Sequence, residues 1–367
     1  MLINFSDQSY ASAAIAAAGV LGTAYVGYKL YKSQKPKIPT EWKQVGTLGD
    51  LYIYPVKSIA PVIADRAEVT IMGLRQGWLR DRILMVVDDK NNFITARAYP
   101  EMLTVHPSAK SSILTLKHAD MDPLVVNLAE SGIEPKTATV WGVPVPVYDC
   151  GLEASEWLTK FLSRPDRSFR LVYYAAYKPR AIREHSKFYN FTKVDSGIFP
   201  DEVAYNLINE ASIEDLNTRL KDCQVSHRNF RPNFVLKGAE AYDEDSWKFV
   251  KIGDNIFEII KPCTRCILTT IDPETGVRNS NREPLQTLNN LSCPVSLATM
   301  PFKPEHSSAW ALLLGGRITG KAVSYHLVIT DNIVRKAAGN SPRMGLQMAL
   351  RSSSGGVISL NDPVYAA

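Results

Sequence analysis

The sequence predicts a predominantly β, barrel-like α+β protein preceded by one N-terminal transmembrane helix. Most of the chain divides into short runs rich in β-branched and aromatic residues, separated by turn residues. Few segments carry helical periodicity, and one uncharged apolar stretch stands near the N-terminus. The 367 residues suggest two domains. Hydrophobic residues at 45% and charged residues at 22% exclude a disordered chain and a polytopic membrane protein. A net charge of +5 is too weak for a dedicated nucleic-acid binder. Five scattered cysteines make no disulfide framework and fit a reducing compartment.

Ala11–Tyr28 is uncharged and mostly small or apolar, and Lys29, Lys32, Lys35 and Lys37 follow it. At ~1.5 Å per residue this is near the lower limit for a spanning helix. The lysines follow the apolar run instead of preceding it, which predicts a signal-anchor over residues 1–37 with the rest of the chain cytosolic. Gly19, Thr23 and Gly27 recur at a helix-packing interval, but a weakly hydrophobic Ala/Gly anchor accounts for them as well. Such an anchor suits the mitochondrial outer membrane better than the endoplasmic reticulum.

After the tether KPKIPTEW, strands are expected in LYIYPVKSI, AEVTI and ILMVVDD, with DDKNN turning into FITAR. TLKHADMDPLVVNL and TATVWGVPVPVYDCG continue the pattern. Leu152–Arg164 reads as an amphipathic helix stopped by Pro165. Ser212–Leu220 reads as a second helix capped by Ser212. NFRPNFVLKG, WKFVKIG, NIFEIIKP and CILTTID then return to strand.

No G-x-G-x-x-G or G-x-x-x-x-G-K-[ST] loop is present, and the six histidines show no ligand spacing. Cys263-Thr264-Arg265-Cys266 has no second ligand pair for zinc and does not open a helix as a redox dithiol would. Two half-buried structural thiols remain one reading. The other is a soft thiolate, favoured by Arg265, supporting a metal held mainly by an anionic cofactor.

YPVKS (Tyr54–Ser58), GLRxGxLRDR (Gly73–Arg82), FITAR (Phe93–Arg97), NFRPN (Asn229–Asn233), EDSW (Glu244–Trp247), KIGD (Lys251–Asp254) and CTRCILTTIDPETG (Cys263–Gly276) occur in this order, followed by SPRMG (Ser341–Gly345) and NDPVY (Asn361–Tyr365). Together they resemble the MOSC-domain molybdenum enzymes, in particular the mitochondrial amidoxime-reducing branch. The resemblance implies a MOSC N-terminal β-barrel domain over 45–165 and a MOSC β-barrel domain over 166–367. It implies a molybdenum-molybdopterin cofactor and reduction of N-hydroxylated compounds, amidoximes and hydroxylamines. Electrons would come from NADH through cytochrome b5 reductase and cytochrome b5.

Residue by residue, Cys266 matches the molybdenum-ligating cysteine, and Cys263 a position outside that ligation. Lys57, Ser58 and Arg82 match cofactor contacts from the first domain; Arg231, Asn233, Thr264 and Arg265 match those from the second. Asp201 matches an acid near the cofactor and is the second catalytic candidate. Glu202 stands where the family carries a hydroxyl residue. Arg80 and Arg97 are left aside as ion-pair partners. The family's aromatic after the SP-containing motif is replaced near Gln347, and residues 293–334 form an atypical insertion.

Two rivals follow. MOSC domains also end molybdenum-cofactor sulfurases, where Cys266 would carry a persulfide, but no pyridoxal-phosphate domain precedes this one. A non-catalytic, membrane-tethered, cofactor-binding β-protein is the other.

Overall fold

The computed structural model describes residues 37–132, 134–164, 166–180, 192, 195–292 and 341–367. The expected anchor at Ala11–Tyr28 and the insertion at 293–334 lie outside them. Among the described residues no helix is long and apolar enough to cross a membrane. Trp42–Ala367 form one compact unit.

Its centre is a closed ring of seven strands: β1 (Lys43–Ile53), β2 (Tyr205–Asn209), β3 (Phe234–Lys237), β4 (Phe249–Ile252), β5 (Asn255–Thr264), β6 (Arg343–Leu350) and β7 (Pro363–Ala366). The order around the ring is β3-β2-β6-β5-β4-β7-β1, and β1 closes back on β3. β2 and β3 run parallel and the other neighbours antiparallel. Strand β1 serves two partners, pairing Lys43 with Ala366 at one end and Leu51 with Phe234 at the other. The crossing passes Gly46, where a Cβ would stand 2.0 Å from the Lys237 carbonyl oxygen, so only glycine fits.

The inward faces bury Leu48, Leu51, Leu207, Val250, Ile252, Leu346 and Met348 around a cluster of Tyr205, Phe234 and Phe257. The three ring centroids lie 5.1–5.7 Å apart. Each fully buried side chain of this size contributes about 1.5–3 kcal/mol.

Val62–Ile63 pair with the end of β1, and among the described residues the strands from Arg66 to Tyr174 pair in sheets of three or four. In the sheet that runs from Lys136–Val140 to Leu84–Val87, residues 92 and 93 bridge the two edges, Asn92 to Thr139 and Phe93 to Val87, and so close it on itself as the expected first barrel requires. One of these sheets takes its edge strand, Val357–Ser359, from the far end of the chain. Another, built on Leu84–Val87, packs against helix α1 (Leu152–Leu162) through Trp157, Leu158 and Leu162. The helix stops before the expected Arg164 because Ser163 turns left-handed, φ 47°, and its N–H closes on Thr159 and Lys160.

The second helix, α2, runs Glu210–Arg219, starting earlier than Ser212. Asn209 is the cap, accepting from the Ala211 N–H at 3.2 Å. Ser212 is buried inside the helix and donates to the Glu244 carboxylate at 2.8 Å, so the hydroxyl satisfies a buried acid instead. The expected strand at NFRPN begins instead as the end of a short helix, α3 (His227–Phe230), which a Ser226/Asn229 capping box opens and a left-handed Arg231 ends. CILTTID also departs from strand: Ile267–Thr270 form a 3-10 turn. Thr269 and Thr270 donate to the carbonyls of Cys266 and Ile267, 3.0 and 2.8 Å, a local pairing that overrides their β-propensity.

Candidate active site

All the candidate site residues line one cavity of about 370 Å³: Lys57, Ser58, Arg82, Asp201, Glu202, Arg231, Asn233, Thr264, Arg265 and Cys266. It gathers the turn after β1, the loop entering β2, the exit of α3 and the exit of β5. Ser58, Arg82 and Arg231 hold left-handed backbones, φ 67°, 46° and 53°. Such geometry costs about 1–3 kcal/mol in a non-glycine residue and persists where tertiary packing imposes it.

Among the described residues, six cationic side chains face the cavity, Lys57, Arg82, Arg97, Arg180, Arg231 and Arg265, against the two carboxylates Asp201 and Glu202. Asp201 joins several of them. It accepts ion-paired hydrogen bonds from Lys57 and Arg97 and a third from Trp141 Nε1 at 3.2 Å. Burial opposes its charge, but Lys57 and Arg97 outweigh burial and hold the carboxyl well below the usual range. Its side chain keeps 37% of its surface, because it faces the cavity. Lys57, 5% exposed, also donates to the Phe199 carbonyl at 2.9 Å. Burial lowers its proton affinity to about 8, with Asp201 partly restoring it.

Arg97 is the cation that reaches the candidate metal-ligating sulfur: its Nε lies 3.3 Å from Cys266 Sγ. Burial would lower its proton affinity, yet Asp201 and Cys266 raise it above the ordinary arginine value. Arg97 thus makes the ion pair expected of it and addresses the sulfur as well, a second role that the sequence reading misses. The FITAR motif is the available signal for it.

Arg265 lines the cavity and also braces its wall. Its guanidinium donates to the Met344 carbonyl at 2.8 Å, the Phe230 carbonyl at 2.9 Å and Asn206 Oδ1 at 3.3 Å, fastening β6, α3 and β2 together. Its charge partly offsets the burial that pushes up the Cys263 thiol, and both Cys263 and Cys266 act back on the guanidinium. Asn233 is likewise turned inward, donating to the Tyr52 carbonyl and to Asp81 Oδ1 at 3.2 and 3.0 Å. Asp81, absent from the candidates, accepts also from the Tyr54 N–H and from Arg82, at 3.0 and 2.6 Å.

The Tyr54 ring carries guanidinium groups of Arg82 and Arg231 at 4.5 and 4.3 Å. Among the described residues, the buried Nη2 of Arg231 has no hydrogen-bond partner, nor has Gln347 Oε1. Burial lowers the Arg231 proton affinity to about 10. A buried, unpaired guanidinium donor on a cationic wall fits an anionic occupant. Glu202 would oppose such an occupant, but Lys261 lies 2.6 Å from it and neutralises its charge. Among the described residues no group of three or more His, Cys, Asp or Glu is placed to hold a metal. A metal here would rest on Cys266 and on ligands the occupant brings.

Residues 45–165 match the family model of the MOSC N-terminal beta barrel domain and residues 195–293 that of the MOSC domain. Mitochondrial amidoxime-reducing component 1 of Homo sapiens is 38% identical over 325 residues, 88% of this chain and 83% of that protein. The Mus musculus component 1 is 37% identical over 75% of this chain and 80% of its own length. The Bos taurus component 2 is 37% identical over 71% and 76%. The chain therefore belongs to the MOSC-domain family of molybdenum-cofactor enzymes, on the branch of the mitochondrial amidoxime-reducing components.

Proposed function

We propose that the protein reduces N-hydroxylated compounds, amidoximes and hydroxylamines, with a molybdenum-molybdopterin cofactor. NADH supplies the electrons through cytochrome b5 reductase and cytochrome b5. Ala11–Tyr28 anchors the chain in the mitochondrial outer membrane, and the lysines after it keep the cavity in the cytosol. The mitochondrial names of the relatives support that location. In this reading residues 1–37 are the anchor, 45–165 the first domain and 166–367 the MOSC domain, with 293–334 inserted.

The observation that carries the proposal is the Cys266 sulfur on the wall of a cavity whose cations include a buried, unpartnered Arg231 Nη2. Lys57, Ser58, Arg82 and Arg231 would hold the anionic part of the cofactor, and Cys266 would ligate its molybdenum. When bound, the cofactor supplies the two-electron reduction that cleaves the N–O bond. The chain's own residues orient and neutralise. Arg97 fixes the Cys266 sulfur from one side, and Asp201 holds Arg97 and Lys57 in place. Lys57 Nζ keeps a proton that burial has loosened, within reach of physiological pH.

Cys266→Ser tests the assignment. The variant is expected to keep the wild-type melting temperature and to lose benzamidoxime reduction in an assay reconstituted with cytochrome b5 and its reductase. Undiminished turnover would sink the proposal. Molybdenum and oxidised-pterin content of the purified wild type are measured alongside; absence of both would favour the non-catalytic reading.

A further inference from the structure

Trp141 sits where a hairpin ordinarily places a small residue. Lys136–Val140 and Val143–Asp149 are joined by the two residues Trp141 and Gly142, both left-handed, φ 53° and 76°. That is a type I′ turn, for which Asn-Gly is the favoured pair and a bulky first residue costs strain. The tryptophan also keeps 39% of its surface exposed, on the wall of the candidate active site. A turn alone explains neither cost.

The ring is nonetheless fixed from several sides. Its Nε1 donates to Asp201 Oδ1 at 3.2 Å, Phe93 lies against it with centroids 5.0 Å apart, and the Arg97 guanidinium is 5.5 Å from its centroid. Arg97 in turn reaches Cys266 Sγ, so the indole stands one guanidinium away from the candidate metal-ligating sulfur. Anchoring the hairpin on Phe93 would call for a buried ring, whereas this one is held rigid and left partly open beside the reacting centre. A rigid, partly exposed aromatic ring offers contact to a flat partner at little entropic cost.

We propose that Trp141 is a stacking platform that selects planar, conjugated N-hydroxylated substrates, aryl amidoximes, over aliphatic ones with the same reacting group. The inference rests on the reductase reading above and deepens it by naming the substrate class. Benzamidoxime and acetamidoxime share the N–O group and differ in the ring, so their ratio isolates the stacking contribution.

The experiment compares the cofactor-loaded wild type with Trp141→Ala and Trp141→Phe, by turnover of both substrates and by calorimetric binding of each. In Trp141→Ala the benzamidoxime/acetamidoxime ratio of kcat/KM is expected to fall by about three- to ten-fold, mainly through the KM for benzamidoxime. Trp141→Phe, which keeps a ring but lacks the indole N–H to Asp201, is expected to retain most of that ratio. An unchanged ratio would overturn the proposal, and if both substrates lose turnover equally it assigns Trp141 to holding Asp201. If Trp141→Ala does not fold, the Phe variant decides: loss of the ratio with a ring still present overturns the platform. Trp141-dependent preference in binding with no turnover of either compound would leave the platform standing and sink the reductase reading instead.

Discussion

Lys57 and Arg231 are buried cations of one cavity, and burial sets a cost on the charge of each. For Lys57 the cost has a pH window. Its folded proton affinity is about 8 against an ordinary value of 10.5, so between those values the unfolded chain binds the proton and the folded one does not. Stability contributed at this position therefore rises with pH from about 8 to 10.5 and is lost as pH falls through the window. Urea midpoints of the cofactor-free wild type, measured against Lys57→Met across that range, are expected to show this rise. A constant difference would refute it. At this scale the sequence is readable where residue type decides the chemistry: Lys57, Arg82, Arg231 and Cys266 all reach the cavity. It is unreadable where a guanidinium chooses among distant partners. Arg97 and Arg265 are chemically alike, yet one addresses a sulfur and the other backbone carbonyls, a difference made by residues 169 and 79 positions away.

Arg265 shows what a single side chain does for several elements. Its fork joins the start of β6, the end of α3 and the residue Asn206 of β2, all of which line or border the cavity. A lysine keeps the charge but cannot span carbonyls in three directions. Arg265→Lys is expected to cost about 2–3 kcal/mol in chemical denaturation and to lower cofactor content as a consequence. Normal stability with lost cofactor would instead restore Arg265 to direct contact. Elements are legible where local patterning rules: α1 and most strands stand where alternation and turns put them. The misread ones are ruled by side chain to backbone bonding. Asn209 outcompetes Ser212 as cap, and two threonine hydroxyls coil the segment after Cys266.

Across the whole molecule, the ring is closed by a strand from near the start of the chain, so the two family-model regions do not correspond to two separable bodies. Motifs could reveal that both regions serve one cavity. They could not reveal that β1 lies between β7 and β3, because that placement is fixed by pairs such as Thr47 with Lys237 and Lys43 with Ala366, far apart in the chain. A fragment of residues 166–367 lacks β1 and leaves the edges of β3 and β7 open. It is expected to unfold without a cooperative transition, whereas residues 42–367 unfold in one, by circular dichroism in urea. Two resolved transitions in the longer chain would contradict this. The same closure means that chain order is incidental to the barrel. Lys43 and Ala366 face each other across a single strand pair. A short linker could join them and new termini be opened at the Ala119–Asp120 hairpin turn, giving a circular permutant with every barrel neighbour preserved.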